Sequence, residues 1–208
     1  MARIPLVSAD SLTPAQREVY ERATAGPRKV IIGPLRAALH NPELADRWQQ
    51  LGALLRYGTS LSPRIKELAI IATARRWNTA LEWQVREAAA RSAGLTDGAI
   101  EAIRQAQPPT LDDADEAAAY EFTRELQETG RVSSTVYEAA HQRFGTVGIV
   151  ELTALVGYYT MVAMTLNAHE IRLPDNADAR ALPAAGTALT PLAPCLVRPD
   201  ASIGDGKA

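Results

Sequence analysis

The chain has 208 residues, of which 47% are hydrophobic, and a formal net charge of −2 at pH 7. This length is enough for a single domain with its own hydrophobic core. A net charge so close to zero creates no field that attracts nucleic acid or an anionic membrane surface, so we expect neither as a partner.

Helix-start signals recur along most of the chain. The segment Thr13-Pro14-Ala15-Gln16 combines a capping residue, a proline in the first turn and a glutamine at the third helical position, which is typical of a helix N-terminus. The predicted helices begin at Thr13, Asn41, Ser62, Leu81, Thr96, Asp112, Ser133 or Ser134, and Thr146. Because no segment alternates convincingly at a period of two, these signals predict an all-α fold of about eight helices.

The last predicted helix is nearly uniformly apolar over residues 147–166, which is close to the length that a bilayer span requires. It contains Glu151, however, and a carboxylate inside a membrane is costly. A helix that is apolar on all sides is also typical of the centre of a helical domain. We therefore expect a soluble protein.

The composition changes from Leu173 onward. Five of the thirteen prolines lie in this segment, together with many small residues, and such a composition does not build a core of its own. We predict one all-α domain over residues 1–172 and a Pro/Ala-rich tail over residues 173–208. The tail is either disordered or an extended arm that lies on a neighbouring subunit.

Cysteine and histidine usage restricts the chemistry. Cys195 is the only cysteine, so it cannot form an internal disulfide or a two-cysteine redox site. The N-terminal sequence MARIPLVSAD lacks the apolar stretch of a secretory signal, and together these features predict a cytoplasmic location. His40, His141 and His169 do not have the spacing of a zinc-binding motif, so no metal site is predicted.

Two of the predicted helices carry charged residues on faces that are otherwise apolar. On a helical projection, Glu67 lies between Ile71 and Ala74, and Glu82 lies on the apolar arc of the next helix, one turn before Arg86. Burial raises the pKa of a carboxyl group, and a raised pKa suits general acid–base catalysis. The alternative is structural: Glu82 and Arg86 have the spacing of an ordinary helix ion pair, and Glu67 could pair with a nearby arginine.

The segment around these charges, RIKELAIIATARRWNTALEWQVREAAARSAGL, resembles the central helical hairpin of the carboxymuconolactone decarboxylase and alkylhydroperoxidase-D-like superfamily. The resemblance extends from about Gly33-Pro34 to ELTALVGYYTMVAMTLNAHEIRLP. It implies an alkylhydroperoxidase-D-like helical bundle that assembles into homo-oligomers, either trimers or hexamers.

The peroxidase branch of this superfamily carries a glutamate, two cysteines and a histidine at a fixed spacing. At that spacing this chain has Glu67, Thr79, Glu82 and Arg86. Because a disulfide-cycling peroxidase needs a thiolate and a resolving thiol, we expect no thiol peroxidase activity. The decarboxylase branch often has a histidine at the position of Arg86. An arginine cannot shuttle protons at neutral pH but binds carboxylates well, so the resemblance implies that Arg86 binds an anionic substrate.

Five further residues are candidates for the same site. His40 and Tyr158 could stabilise an enolate, His169 could reach a pocket at the end of the long helix, and Trp77 and Trp83 could wall an apolar pocket. For each of them, a packing or capping role is the alternative.

The preferred hypothesis is a cofactor-free lyase, decarboxylase-like, that acts on a small organic acid or lactone, such as an intermediate of aromatic catabolism. Its predicted catalytic residues are Glu67, Glu82, His40 and Tyr158, and its predicted substrate-binding residues are Arg86, Trp83, Trp77 and His169. The alternative hypothesis is a catalytically silent, oligomeric protein that binds a small molecule on the same scaffold.

Overall fold

The protein is all-α. The computed structural model describes residues 2–26, 29–173, 182–183 and 189–197, and in this part of the chain it has eight α-helices and no β-strand. The helices are α1 Pro14–Ala25, α2 Gly33–Ala38, α3 Pro42–Tyr57, α4 Pro63–Arg76, α5 Ala80–Ser92, α6 Asp97–Arg104, α7 Ala114–Thr129 and α8 Ser134–Ala168. The predicted fold class is confirmed.

Side-chain caps start most of the helices where the sequence predicts them. Thr13 and Gln16 form a reciprocal capping box at α1: the Gln16 amide donates to Thr13 Oγ1 at 3.3 Å, and the Thr13 amide donates to Gln16 Oε1 at 3.0 Å. At α3 the Leu44 amide donates to the Asn41 side chain, and at α4 the Ile65 amide donates to the Ser62 side chain. These contacts satisfy amides that have no partner within the helix. Helix α2 was not predicted, because it has only six residues and no side-chain cap.

Helix α8 is interrupted at Gly145. This residue has φ 63° and ψ −178°, a backbone conformation that is essentially restricted to glycine. The two helical parts, residues 134–144 and 146–168, correspond to the two helices that the sequence predicts on either side of this glycine. The break redirects the chain before its most apolar segment.

Helix α4 lies between two hydrophobic cores. Ile65, Ala69 and Ile70 pack into a core formed with α1, α2, α3, α7 and α8. Leu68 and Ile71 pack into a second core formed with α5, α6 and α7. This burial on two sides explains why the sequence of α4 lacks a single apolar stripe. A helix packed on both sides holds its polar side chains in fixed positions.

Helix α8 is the one helix in the described residues that is long and apolar enough to cross a membrane. Half of its most apolar window is buried inside the protein. The core helix of a soluble protein has the same length and composition, so one such helix is weak evidence for a membrane span.

Residues 189–197 lie in an extended conformation along α4 and α7. The Thr190 amide donates to the Arg76 carbonyl, and the Leu192 amide donates to Glu128 Oε1. Leu192 is buried in the second core, and the Tyr120 hydroxyl donates to the Ala193 carbonyl at 2.9 Å. This part of the predicted tail therefore packs on its own chain. The division into a domain of residues 1–172 and a tail remains a prediction.

Replacing Gly145 by alanine tests the role of the break. A Cβ disfavours the Gly145 conformation, so we expect Gly145→Ala to lower the free energy of unfolding by about 1–3 kcal/mol. Gly98→Ala is the control, because Gly98 is helical and a Cβ there meets no atom within 4 Å; it should be neutral or slightly stabilising. Urea titrations followed by circular dichroism measure both changes. Equal stability of Gly145→Ala and wild type would contradict the assignment.

Candidate active site

Glu67, Glu82 and Arg86 meet where α4 packs against α5. Arg86 Nε donates to Glu82 Oε1 at 2.8 Å, and Arg86 Nη1 lies 3.4 Å from Glu67 Oε1. All three side chains are largely buried, with 7–15% of each exposed. One guanidinium is therefore shared by two carboxyl groups from different helices.

The turn between α4 and α5 sets this geometry. Asn78 has a left-handed conformation with φ 54°, and Thr79 Oγ1 donates to the Ala74 carbonyl at 3.2 Å. The turn places Glu82 in the first turn of α5, where the partial positive charge of the helix N-terminus favours a carboxylate. Arg86 follows one turn later on the same face and reaches back towards α4.

Tyr159 of α8 completes the cluster. The Arg86 guanidinium lies over the Tyr159 ring, 5.2 Å from its centroid, an arrangement that stabilises a buried cation. The Tyr159 hydroxyl and Glu67 Oε2 are both buried, and neither has a hydrogen-bond partner among the described residues. Buried polar atoms are normally paired. Two unpaired oxygens beside one cation make this cluster a candidate functional site.

Burial dominates the electrostatics of the cluster. It raises the pKa of Glu67 above its usual value, although Arg86 and Arg56 act in the opposite direction. Burial also raises the pKa of Tyr159 well above that of a free phenol. Burial acts to lower the pKa of Arg86, but its neighbours more than offset this and raise it. The cluster thus contains a permanent cation, a carboxyl group whose charged form is disfavoured by burial, and a phenol whose pKa is raised by burial.

The cluster opens into a cavity of about 380 Å³ between α2, α3, α5 and α8. One part of its wall is polar and the rest is apolar. The polar residues are Arg56, Glu82, Arg86, Tyr158 and Tyr159, and the apolar residues are Val30, Ile32, Pro34, Leu35, Trp48, Val85 and Val162. Glu67 is not among the residues that line this cavity, and it contacts the lining residue Arg86. The arrangement suits a small molecule with one polar end.

The sequence of this region matches a known family. Residues 42–125 match the sequence model of the carboxymuconolactone decarboxylase family. The predicted resemblance to this family is confirmed over that segment. It covers α3 to α6 and most of α7, and it includes Glu67, Glu82, Arg86 and Arg56 but neither Tyr158 nor Tyr159.

A solved structure extends the similarity to the whole fold. The crystal structure of an uncharacterized peroxidase-related protein from Silicibacter sp. TM1040 superposes with a TM-score of 0.63, covering 88% of this chain and 96% of that chain at 15% sequence identity. At this identity the likeness concerns the fold alone. No curated protein sequence matches the chain.

The two predicted tryptophans, Trp77 and Trp83, lie away from this cavity. Trp83 is only 1% exposed in the second core, and its Nε1 donates to Glu87 Oε2 at 3.1 Å. Trp77 Nε1 donates to Gln127 Oε1 at 3.0 Å, and its side chain lines a different cavity of about 560 Å³. Neither ring therefore lines the cavity at Glu82 and Arg86. Trp83 packs in the second core, and Trp77 is hydrogen-bonded to α7.

The two predicted histidines line a different cavity. His40 and His169 line a third cavity, of about 490 Å³, and His40 Nε2 lies 2.7 Å from the Pro5 carbonyl oxygen. Trp48 lines this cavity as well as the one at Arg86. Among the predicted site residues, the structure thus groups Glu67, Glu82, Arg86 and Tyr158, and separates them from both histidines.

Sequence reasoning missed three residues of the cavity wall. Arg56 and Trp48 both belong to α3 and are eight residues apart, which places them on one face of the helix. Tyr159, the residue after the predicted Tyr158, contacts Arg86 through its ring. The helical period of α3 could have identified Arg56, but its orientation depends on how α3 packs against α8. In the described part of the chain, no group of three or more His, Cys, Asp or Glu side chains is placed to hold a metal ion.

The raised pKa of Glu67 makes a testable contribution to stability. Below about pH 4.3, the ordinary pKa of glutamate, Glu67 is protonated in both folded and unfolded chains. At higher pH the unfolded chain releases this proton more readily, so wild type loses stability as the pH rises through the raised pKa. We expect Glu67→Gln to melt at about the wild-type temperature near pH 4 and above it at pH 8.

Differential scanning calorimetry between pH 4 and pH 8 measures this difference. Glu43→Gln removes one exposed carboxylate at the start of α3 and controls for the change in net charge. A Glu67→Gln melting temperature that falls relative to wild type as the pH rises would contradict the assignment.

Proposed function

We propose that the protein is a cofactor-free acid–base enzyme of lyase type that acts on a small organic acid or lactone, as the name of its matching family suggests. One observation carries the proposal: the Glu82–Arg86–Glu67 cluster is buried, and Glu82 and Arg86 form part of the wall of a small, mainly apolar cavity. Buried ionisable side chains at a cavity are typical of functional sites.

The proposed reaction is proton transfer or decarboxylation beside a carbonyl group. Glu82 removes or returns a proton at the carbon next to the carbonyl. In decarboxylation, the bond to the carboxylate carbon breaks, its electron pair moves to the carbonyl oxygen to form an enolate, and carbon dioxide leaves. A carboxyl group then donates a proton to the carbon. Arg86 and a tyrosine hydroxyl stabilise the enolate oxygen in a site with little water.

Glu67 is proposed to supply a proton to the site. Its pKa is raised by burial, and its Oε1 lies 3.4 Å from Arg86 Nη1. It therefore contributes a proton that Arg86, a permanent cation, cannot supply.

A thiol peroxidase mechanism is not part of the proposal. Thr79 and Glu82 stand at the spacing where the peroxidase branch has its cysteines. Burial raises the pKa of Cys195 to about 12, and its amide donates to Glu121 on α7. A half-buried thiol with a raised pKa is a poor nucleophile.

A second candidate function is binding without catalysis. The charge of Arg86 is already balanced by two carboxylates, which also suits a static ion-pair network. In that case the cavity would bind a small molecule without converting it. Neither the wild-type protein nor a variant of either carboxylate would then turn over a substrate.

We also propose that the protein is a cytoplasmic homo-oligomer, either a trimer or a hexamer, with α8 at the subunit interface. Alternating steps of three and four residues place exposed apolar or small residues on one face of this helix. They are Val147, Val150, Ala154, Gly157, Met161, Met164 and Ala168. This spacing is typical of a helix that packs against another helix. Neighbouring α3 adds exposed Leu51, Leu54 and Tyr57, and apolar surface of this extent favours association.

Replacing Glu82 by glutamine tests the proposed chemistry. Glutamine keeps the shape and one acceptor oxygen but cannot accept a proton, so we expect turnover to fall by about 10² to 10⁴. Carboxylic acids and lactones, beginning with carboxymuconolactone, are incubated with the enzyme in D₂O. Proton NMR records substrate loss and deuterium uptake next to the carbonyl. Glu43→Gln should turn over the substrate as wild type does. Unchanged turnover in Glu82→Gln would remove Glu82 from the mechanism.

A charge on the exposed face of α8 tests the proposed assembly. Met161→Lys and Val150→Lys should shift the protein to lower mass in light scattering coupled to size exclusion, because a buried unpaired ammonium group opposes association. Glu138→Lys also changes the charge of an exposed position on the first part of α8 and should leave the mass unchanged. A wild-type monomer would contradict the proposal.

A further inference from the structure

Arg56 is a cation of the cavity wall that has no carboxylate partner among the described residues. Its side chain is half-buried and lines the cavity together with Glu82 and Arg86. In the described part of the chain its guanidinium makes no hydrogen bond and no ion pair. The guanidinium carbon lies over the Tyr57 ring, 4.9 Å from the ring centroid. Its backbone is held firmly, because Lys66 Nζ donates to the Arg56 carbonyl at 2.9 Å.

The two arginines of the cavity are in different electrostatic situations. Arg86 has carboxylate oxygens at 2.8 Å and 3.4 Å, from Glu82 and Glu67. Arg56 acts on the pKa of Glu67 and of Tyr159 only through space, so it lies close to the cluster without pairing with it. Among the described residues, Arg56 is therefore the arginine of this cavity whose charge is not matched by an ion pair.

The surroundings of Arg56 restrict what can neutralise it. The wall of the cavity away from the charged cluster is built from Val30, Ile32, Val85, Val162 and the Trp48 ring. A ligand that fills about 380 Å³ against such a wall gains from an apolar body. The unpaired guanidinium of Arg56 favours a ligand that carries a single carboxylate at its polar end.

We propose that Arg56 binds the carboxylate of the ligand, and that the ligand is an organic monoanion with one carboxylate and an apolar, preferably aromatic, body. This inference rests on the proposed function for the location of the site, and it names the ligand class that the site accepts. It also changes the role expected of Arg86, which keeps Glu82 and Glu67 in place and stabilises charge that forms during the reaction.

Calorimetric titration with two probes tests this proposal. Benzoate and benzamide have nearly the same shape, and only benzoate carries a carboxylate. We expect wild type to bind benzoate at least about tenfold more tightly than benzamide, and Arg56→Gln to lose about tenfold to a hundredfold in benzoate affinity. Arg56→Lys keeps the charge but not the paired donors, so its affinity should be intermediate.

Arg47→Gln is the matched control, because Arg47 is an exposed arginine of the same helix that does not line the cavity; it should bind benzoate as wild type does. Benzamide affinity should be the same in wild type and Arg56→Gln, which shows that the cavity is intact. Equal benzoate affinity in wild type and Arg56→Gln would overturn the proposal. So would a wild-type protein that binds benzamide as tightly as benzoate, or neither probe at millimolar concentration.

The result is separable from that of the catalytic proposal. A catalytically silent protein whose benzoate binding depends on Arg56 would refute the lyase proposal alone. An active enzyme whose benzoate binding does not depend on Arg56 would refute the present inference alone.

Discussion

The fold around the cavity depends on the neutralisation of one buried cation. An isolated guanidinium in the interior would cost several kcal/mol of solvation free energy. Arg86 avoids that cost because α4 and α5 each contribute a carboxylate and α8 contributes the face of the Tyr159 ring. Side chains from α4, α5 and α8 thus meet at one charged group. The relative positions of α4, α5 and α8 also define the walls of the cavity, so the same contact serves the fold and the site.

The double burial of α4 gives this contact its rigidity. A surface helix could shift or rotate to relieve the desolvation of Glu67. Helix α4 cannot, because its opposite sides are packed into two cores. The carboxyl group is held in an environment that disfavours its charged form, and packing in the two cores compensates for the cost.

Local sequence signals were sufficient for much of the fold and for part of the site. Caps such as Thr13, Asn41 and Ser62 act within one turn, so they are visible in the sequence. The approach of Glu82 to Arg86 follows from a spacing of four residues. Arg56, Tyr159 and the separation of His40 from the cluster depend on contacts between distant helices. No periodicity within one segment encodes those contacts, and α2 was too short to leave a periodic signal.

The extended segment of residues 189–197 has a consequence for where the folded unit ends. Composition changes at Leu173, yet Leu192 belongs to the second core and the Leu196 amide donates to the Pro109 carbonyl. A chain that ended at residue 172 would therefore expose an apolar strip of α4 and α7 and leave the acceptors on Glu121 and Glu128 without these amide donors. We therefore expect the end of α4 to unfold together with residues 189–197, although more than a hundred residues separate Arg76 from Thr190 in the chain.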